Sequence, residues 1–148
     1  MTAPTLNQPA ARTLLPAASP PVLTAAADIL ERGWLQHGWY LHEPAPLRSR
    51  LRSGSARPEQ VRQACLVAAI AVAAHRGTFL VNIERDALPW IDRVWRVLHE
   101  GQSPHRLAPQ QRIRDLVAWN DQLGRTQSEV IAAVRAADSL VLTAQETR

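Results

Sequence analysis

The sequence predicts an all-α protein, a single-domain bundle of about five helices around a central apolar helix over residues 58–76. Three observations favour this class. A chain of 148 residues is long enough to bury one ordinary core. Its hydrophobic fraction of 46% is rich in Ala, which favours helices over sheets. Apolar residues also recur at helical spacing in several segments.

The two ends of the chain differ in composition. Residues 1–19 are rich in Pro, Ala, Thr and Ser without any period, which predicts a flexible N-terminal segment before a helical domain over 20–148. The segment lacks the charged and apolar regions of a secretory signal. The longest nearly apolar run, "ACLVAAIAVAA" (64–74), is too short to cross a bilayer. We therefore expect a cytoplasmic protein that does not enter a membrane.

The first helix is predicted to begin after Ser19, a residue that can cap it. Gly33 is placed to end this helix in a left-handed conformation. The following segment, "WLQHGWYLHE" (34–43), fits either a short aromatic hairpin or irregular structure. We prefer irregular structure because His-Gly is a weak turn signal and an isolated hairpin is only marginally stable.

The central helix is predicted to begin near residue 58 and to end near His75 or Arg76. From residue 64 to 74 it is apolar on every side, so other helices must surround it. Cys65, the single cysteine, excludes an intramolecular disulfide and is expected to be a small buried hydrophobe within this helix. A short strand or hairpin at 34–41 or 78–83 stays open, since tertiary context decides such short runs.

Three further helices follow from apolar periodicity. They are predicted over about residues 87–100, from Pro109 to Trp119, and after Thr126. Pro89 fits only in a first turn and therefore places the start of the first of them. The five Trp residues are expected to anchor a core that is otherwise built from small side chains.

The stretch "AWNDQLGRTQSEV" (118–130) has the polar residues of a site, yet each has a structural interpretation. Asn120 and Asp121 end one helix, and Gly124 permits a tight turn. Thr126 and Glu129 have the spacing of a capping box, in which each side chain bonds the other residue's amide. We therefore interpret the stretch as the junction between two helices.

Two other residues complete this junction. Trp119 is expected to wedge the two helices together. Asp121 and Arg125, four positions apart, either pair with each other or bind a ligand. We prefer the structural interpretation and keep the ligand site as its alternative.

Three segments occur in an order that resembles a known family. They are "ADILERGWLQ" (27–36), "ACLVAAI" (64–70) and "LVAWNDQLGRTQSEVIAAVRAA" (116–137). Together they resemble an uncharacterised family of small actinobacterial proteins of unknown function, which closes on a W-N-D-x-x-G-R-T-x-x-E-V motif. The resemblance implies a helical fold and a bacterial cytosolic origin. It implies no catalytic residue, cofactor or partner.

Positive charge is concentrated in one loop, predicted over residues 44–57. All 17 basic residues are Arg, a bias typical of high-GC genomes or of selection for phosphate and carboxylate binding. Between residues 44 and 62, five Arg stand against Glu59, and the difference of +4 equals the net charge of the chain. These arginines are Arg48, Arg50, Arg52, Arg57 and Arg62.

The same loop is the one candidate for nucleic-acid contact. An extended chain would present Arg48, Arg50 and Arg52 on one side, as a phosphate backbone requires, with Arg57 close behind. The preferred interpretation is nevertheless a solvated loop.

No pattern of catalytic or metal-ligating residues is present, so we predict no catalytic residue, no metal and no cofactor. The function predicted first is a small non-enzymatic interaction or regulatory protein that binds a protein partner or forms a homodimer. The alternative is a nucleic-acid-binding protein that uses the loop 48–57. An enzyme whose site is not visible in the sequence comes third.

Overall fold

One apolar helix lies at the centre of the fold. The computed structural model describes residues 21–42, 57–75 and 82–146, which form six helices and a two-stranded sheet in one mostly helical domain. The predicted fold class is therefore confirmed, whereas the predictions for 1–19 and most of 44–57 lie outside the described residues. The elements are α1 (Val22–Arg32), β1 (Tyr40–His42), β2 (Val61–Ala64), α2 (Leu66–Ala74), α3 (Ile83–Asp86), α4 (Leu88–Leu98), α5 (Pro109–Asn120) and α6 (Gln127–Glu146).

Helix α2 is the predicted central helix. All its residues except Ala73 are buried, and it contacts α1, α3, α4 and α5. Helix α1 also packs against α6, and α4 packs against both α5 and α6. A helix without a polar face buries its whole surface only when neighbours cover each side, as they do here.

The central helix begins later than predicted. Residues 58–60 form a short 3-10 turn, and 61–64 form β2 instead of a first helical turn. Val61 and Ala64 are buried while the two polar residues between them face solvent. Cys65 lies outside the helix and caps it, because its sulfur accepts a hydrogen bond from the Ala68 amide at 3.4 Å.

The aromatic segment forms a strand, but without the local hairpin considered from the sequence. Its strand β1 pairs antiparallel with β2, and Tyr40 lies opposite Ala64. The register shifts between Leu41 and His42, so that His42 lies opposite Val61. Irregular structure was therefore the wrong preference for residues 40–42, since the partner strand lies further along the chain.

Gly33 ends α1 in an extended conformation, with φ at 176°, and the predicted left-handed conformation is wrong. Gly33 instead allows the backbone at the end of α1 to lie in close contact with the backbone of β2. A Cβ atom at this position would lie 2.4 Å from the carbonyl oxygen of Arg62. Only glycine therefore lets β2 pass this close to the end of α1.

Helix α3 replaces the strand considered at 78–83 where that range is described. Asn82 caps the helix by accepting a hydrogen bond from the Arg85 amide at 2.9 Å. His75, at the end of α2, contacts the Asp86 carboxylate through Nδ1 at 3.0 Å. Bonds from the Arg85 guanidinium and then from His75 lower the pKa of Asp86. This contact joins α2 to α3.

The later helices lie within two residues of their predicted bounds. A buried ion pair joins α4 to α5, with Arg112 Nε 3.0 Å from Asp92 Oδ1. Of the five tryptophans, Trp95 alone is fully buried, and Trp39 is 52% exposed. The expectation that all five anchor the core is therefore wrong for Trp39.

Candidate functional site

Asn120 is the centre of a buried hydrogen-bond network, here called the Asn120 hub. Its side chain is nearly inaccessible to solvent. The Oδ1 atom accepts from the Trp34 indole at 2.8 Å and from the Leu66 amide at 3.0 Å. The Nδ2 group donates to the Leu35 carbonyl at 3.2 Å and to Asp121 Oδ1 at 2.8 Å. These bonds use the full capacity of the amide and leave nothing for a ligand.

Asp121 holds the segment that follows α1. Its Oδ1 atom accepts from the His37 backbone amide at 2.9 Å, and Oδ2 lies 3.7 Å from His37 Nδ1. Gln36 donates to the carbonyls of Asn120 and Gln122, each at 3.0 Å. His37 itself has a left-handed backbone, with φ at 58°. Hydrogen bonds thus connect the end of α5 to residues 34–37.

Arg125 faces a different set of partners. Its guanidinium carbon lies 3.9 Å from the centre of the Trp119 ring, and Nε donates to the Trp119 carbonyl at 3.1 Å. It also contacts Gln122 and lies 3.5 Å from a Glu129 oxygen. Asp121 and Arg125 therefore have separate partners within the fold and do not form the mutual pair considered from the sequence.

Thr126 and Glu129 form the two reciprocal bonds of a capping box. The Thr126 amide donates to the Glu129 carboxylate at 2.8 Å, and the Glu129 amide donates to the Thr126 hydroxyl at 3.3 Å. The bonds from Thr126 lower the pKa of Glu129. Gly124 has φ at 82°, the left-handed conformation that its turn requires. Gln127 then reaches the Leu30 carbonyl at 2.7 Å, which ties α6 to the end of α1.

A small pocket of about 280 Å³ lies between α5 and the chain that precedes β1. Burial raises the pKa of the Cys65 thiol on its wall, and neighbouring backbone amides offset this only in part. The thiol is therefore neutral at physiological pH and a poor nucleophile. The lining residues are His37, Gly38, Trp39, Cys65, Val117 and Asp121.

A run of exposed apolar side chains adjoins this pocket. Trp39, Tyr40 and Leu41 are 52%, 36% and 57% exposed, and we call them the aromatic strip. Leu41 also lies in a larger cleft of about 580 Å³, here called the basic cleft. The cleft is lined by Arg32, Leu41, Glu59, Val61, Arg62 and Gln63.

Comparison with known proteins places this chain in a family. A family of unknown function matches residues 16–140, which is most of the chain. The chain belongs to DUF6197. The match to DUF6197 includes the Asn120 hub, the aromatic strip and the basic cleft. No curated protein and no solved structure matches the chain.

The candidate nucleic-acid residues of this DUF6197 chain are only partly visible. Arg48, Arg50 and Arg52 lie outside the described residues, and Arg57 is exposed just before the 3-10 turn that leads into β2. Sequence reasoning missed Arg32, which joins the basic cleft from the end of α1. Nothing local to Arg32 indicates this, because the cleft forms only when β2 lies beside α1.

Two further findings concern the parts of the DUF6197 chain that the structure describes. Within residues 21–42, 57–75 and 82–146, no group of three His, Cys, Asp or Glu side chains is arranged to hold a metal ion. No helix in these ranges has the length and apolar character needed to cross a membrane.

Proposed function

We propose that this DUF6197 chain is a non-enzymatic interaction or regulatory protein that binds a protein partner through the aromatic strip and the basic cleft. The aromatic strip carries the proposal, since Trp39 and Leu41 expose more than half of their surface. Large exposed apolar side chains are typical of protein interfaces, where Trp and Tyr are enriched. Covering them with a partner would remove this apolar surface from water.

The polar residues of the junction support a non-enzymatic role. Asn120 uses its full hydrogen-bonding capacity within the fold, and Arg125 and Glu129 stabilise a helix start. The Cys65 thiol stays protonated because burial raises its pKa. A nucleophilic cysteine needs the opposite shift.

We also propose a bacterial, cytoplasmic setting. The use of Arg alone among 17 basic residues fits a high-GC genome. A single unpaired cysteine, Cys65, suits a reducing compartment. The resemblance to small actinobacterial proteins points the same way.

Photo-crosslinking tests the proposed surface directly. A photoreactive amino acid replaces Trp39 or Leu41 in the full chain, which is expressed in its native host and irradiated. We expect a crosslinked species of one defined mass from both positions, and twice the mass of the chain would indicate a homodimer. The matched control is Leu123, which is fully exposed on the turn between α5 and α6. Equal crosslinking from Leu123, or none from Trp39 and Leu41, would contradict the proposal.

A nucleic-acid-binding function is the second candidate. Arg57 and Arg62 are both exposed, and Arg62 shares the basic cleft with Arg32. Such a group of guanidiniums can neutralise phosphates, which makes affinity strongly dependent on salt. The test is binding of labelled duplex DNA and RNA at two salt concentrations. Binding that weakens steeply with salt supports this function, and absence of binding at low salt removes it.

A separate experiment tests whether this binding depends on the arginines at positions 48, 50 and 52. Replacing Arg48, Arg50 and Arg52 by Ala should abolish such binding. Replacement of Arg114, exposed on α5, should change it little.

A further inference from the structure

The small pocket between α5 and the chain before β1, here called the Asp121 pocket, contains a carboxylate whose orientation is fixed. Oδ1 of Asp121 accepts hydrogen bonds from the His37 amide at 2.9 Å and from the Asn120 side chain at 2.8 Å. Both donors are neutral amide groups, so these bonds orient the carboxylate without cancelling its charge. A group that is oriented before binding loses less conformational entropy when a ligand arrives.

The second oxygen of this carboxylate has capacity for a ligand. His37 Nδ1 lies 3.7 Å from Asp121 Oδ2, which is longer than a hydrogen bond. The His37 side chain is 75% exposed and is free to turn towards solvent, and the Asp121 side chain keeps 22% of its surface exposed. Each oxygen of an ionised carboxylate can accept two hydrogen bonds. Oδ2 can therefore accept a donor from a ligand in the pocket.

The other walls of the Asp121 pocket suit the apolar part of a cationic ligand. Trp39, which is 52% exposed, and Val117 of α5 both line it. Burial, and to a smaller extent the charge of Asp121, raise the pKa of the Cys65 thiol, which adds no second charge to the wall. The face of an indole ring attracts a cation more strongly than that of Tyr or Phe. A carboxylate, an indole and an apolar wall together have the chemistry to bind an organic cation.

We propose that the Asp121 pocket binds a primary alkylammonium group, which the protein partner supplies as a lysine side chain. The ammonium donates to Asp121 Oδ2, and the methylene chain packs on Trp39 and Val117. This inference rests on the proposed protein-binding function and specifies one residue of the partner. Because Trp39 belongs to both the pocket and the aromatic strip, a partner that covers the strip lies beside the pocket.

The geometry of the carboxylate favours an ammonium group over a guanidinium group. Oδ1 of Asp121 already accepts two hydrogen bonds, so the carboxylate cannot form the two parallel bonds by which arginine usually binds. An ammonium group is a compact charge that can bind a single oxygen. The pocket volume of about 280 Å³ lies at the lower limit for small-molecule sites, which suits one side chain.

Titration of the full-length protein, followed by nuclear magnetic resonance, tests the inference. The probe is lysine blocked as its Nα-acetyl methylamide, and the readout is the shift of the Gly38 backbone amide. We expect saturable binding that weakens about tenfold in Asp121→Asn, because a charge-assisted hydrogen bond is lost. This substitution keeps an acceptor oxygen for the His37 amide, so the fold should stay intact. The matched control Asp28→Asn, exposed on α1 outside the pocket, should leave the affinity unchanged.

Trp39→Leu tests the aromatic contact and leaves the carboxylate in place. The affinity for blocked lysine should fall about threefold, as expected for loss of a cation–π contact at an exposed site. Blocked lysine that is also acetylated at Nε carries no charge and should not shift the Gly38 amide. Equal affinity of Asp121→Asn and the unmodified protein, or equal binding of the acetylated probe, would overturn the inference.

Two further probes separate the sources of the cation. One is n-butylammonium, and the other is arginine blocked in the same way as lysine. Binding of n-butylammonium together with blocked lysine supports the inference. Binding of n-butylammonium alone would overturn the lysine side chain in favour of a free amine. Tighter binding of blocked arginine than of blocked lysine would overturn the preference for ammonium.

The remaining outcomes distinguish this inference from the proposed function. Absence of binding by every probe would overturn the inference, while crosslinking from Leu41 would still decide the proposed function. Binding of blocked lysine without any crosslink from Leu41 would contradict the proposed function and remove the partner as the source of the ammonium.

Discussion

Asn120 joins three parts of the chain through one buried amide. Replacing it by Ala would leave the Trp34 indole and the Leu66 amide without their acceptor. Unsatisfied buried donors are costly, so we expect Asn120→Ala to lower the free energy of unfolding by about 2–5 kcal/mol. Urea denaturation measures this loss. Leu123→Ala, at a fully exposed position, should change it by less than about 0.5 kcal/mol. Equal effects of the two would contradict the role of the hub.

The buried thiol of Cys65 should make the stability of the folded protein depend on pH in the alkaline range. Burial raises the pKa of its thiol above the ordinary value of 9.0. The folded protein therefore keeps a proton that the unfolded chain releases, and stability should fall as the pH rises through and above 9.0. Urea denaturation across this range measures the fall.

Cys65→Ser is the control for this titration. Its hydroxyl can still cap α2 but does not ionise in this range, so part of the alkaline loss should disappear. Iodoacetamide should also modify native Cys65 far more slowly than the unfolded chain. Equal rates in the two states would contradict a buried, protonated thiol.

Contact between α1 and β2 depends on Gly33. A Cβ atom would lie 2.4 Å from backbone, which cannot move aside as a flexible side chain would. We expect Gly33→Ala to lower the free energy of unfolding by about 1–3 kcal/mol. Hydrogen exchange of the Ala64 amide should also accelerate, because this amide donates to the Gly33 carbonyl at 3.1 Å.

Gly101→Ala is the matched control for Gly33→Ala. Gly101 has φ at 81° and open space around it. Gly101→Ala should therefore lower the free energy of unfolding by about 1–2 kcal/mol, the cost of a left-handed backbone at a non-glycine residue. It should leave the hydrogen exchange of the Ala64 amide unchanged. Acceleration at Ala64 in Gly101→Ala, but not in Gly33→Ala, would show that the close contact is unimportant.

The elements that local sequence determines were predicted well. Helix α4 has an apolar stripe at helical spacing and a proline in its first turn, and it begins within one residue of the prediction. Strand β2 was missed because "VRQA" is too short to show a period. Its pairing with β1, about 20 residues earlier, decides its conformation, as tertiary context often does for strands.

The same distinction applies to the junction between α5 and α6. The capping bonds of Thr126 and Glu129 join residues three apart, so their spacing in the sequence indicates them. Asn120 was interpreted only as a helix end, because its partners Leu66 and Trp34 lie 54 and 86 residues away. Its role depends on the assembled fold.

The stability of the whole domain depends on the packing of α2. Ile70 is fully buried at the middle of this helix, so its truncation would leave a cavity in the core. We expect Ile70→Ala to lower the free energy of unfolding by about 2–5 kcal/mol. Ile131→Ala, at a half-buried position on α6, should lower the free energy of unfolding by less.

Urea denaturation of Ile70→Ala also tests whether the domain unfolds cooperatively. Urea transitions followed by circular dichroism and by tryptophan fluorescence should coincide in both variants, as in a two-state domain. Separate transitions would show that the helices around α2 unfold independently.

His42 and Val61 lie opposite each other in the sheet, which holds together two points of the chain that are far apart in sequence. A longer connection between two points that are held together costs little additional entropy, so an insertion between these two residues should be tolerated. A fluorescent reporter domain spliced between residues 43 and 56 would leave the helical domain intact. It would also be tethered next to the basic cleft, where occupancy by a partner could be followed as a change in energy transfer.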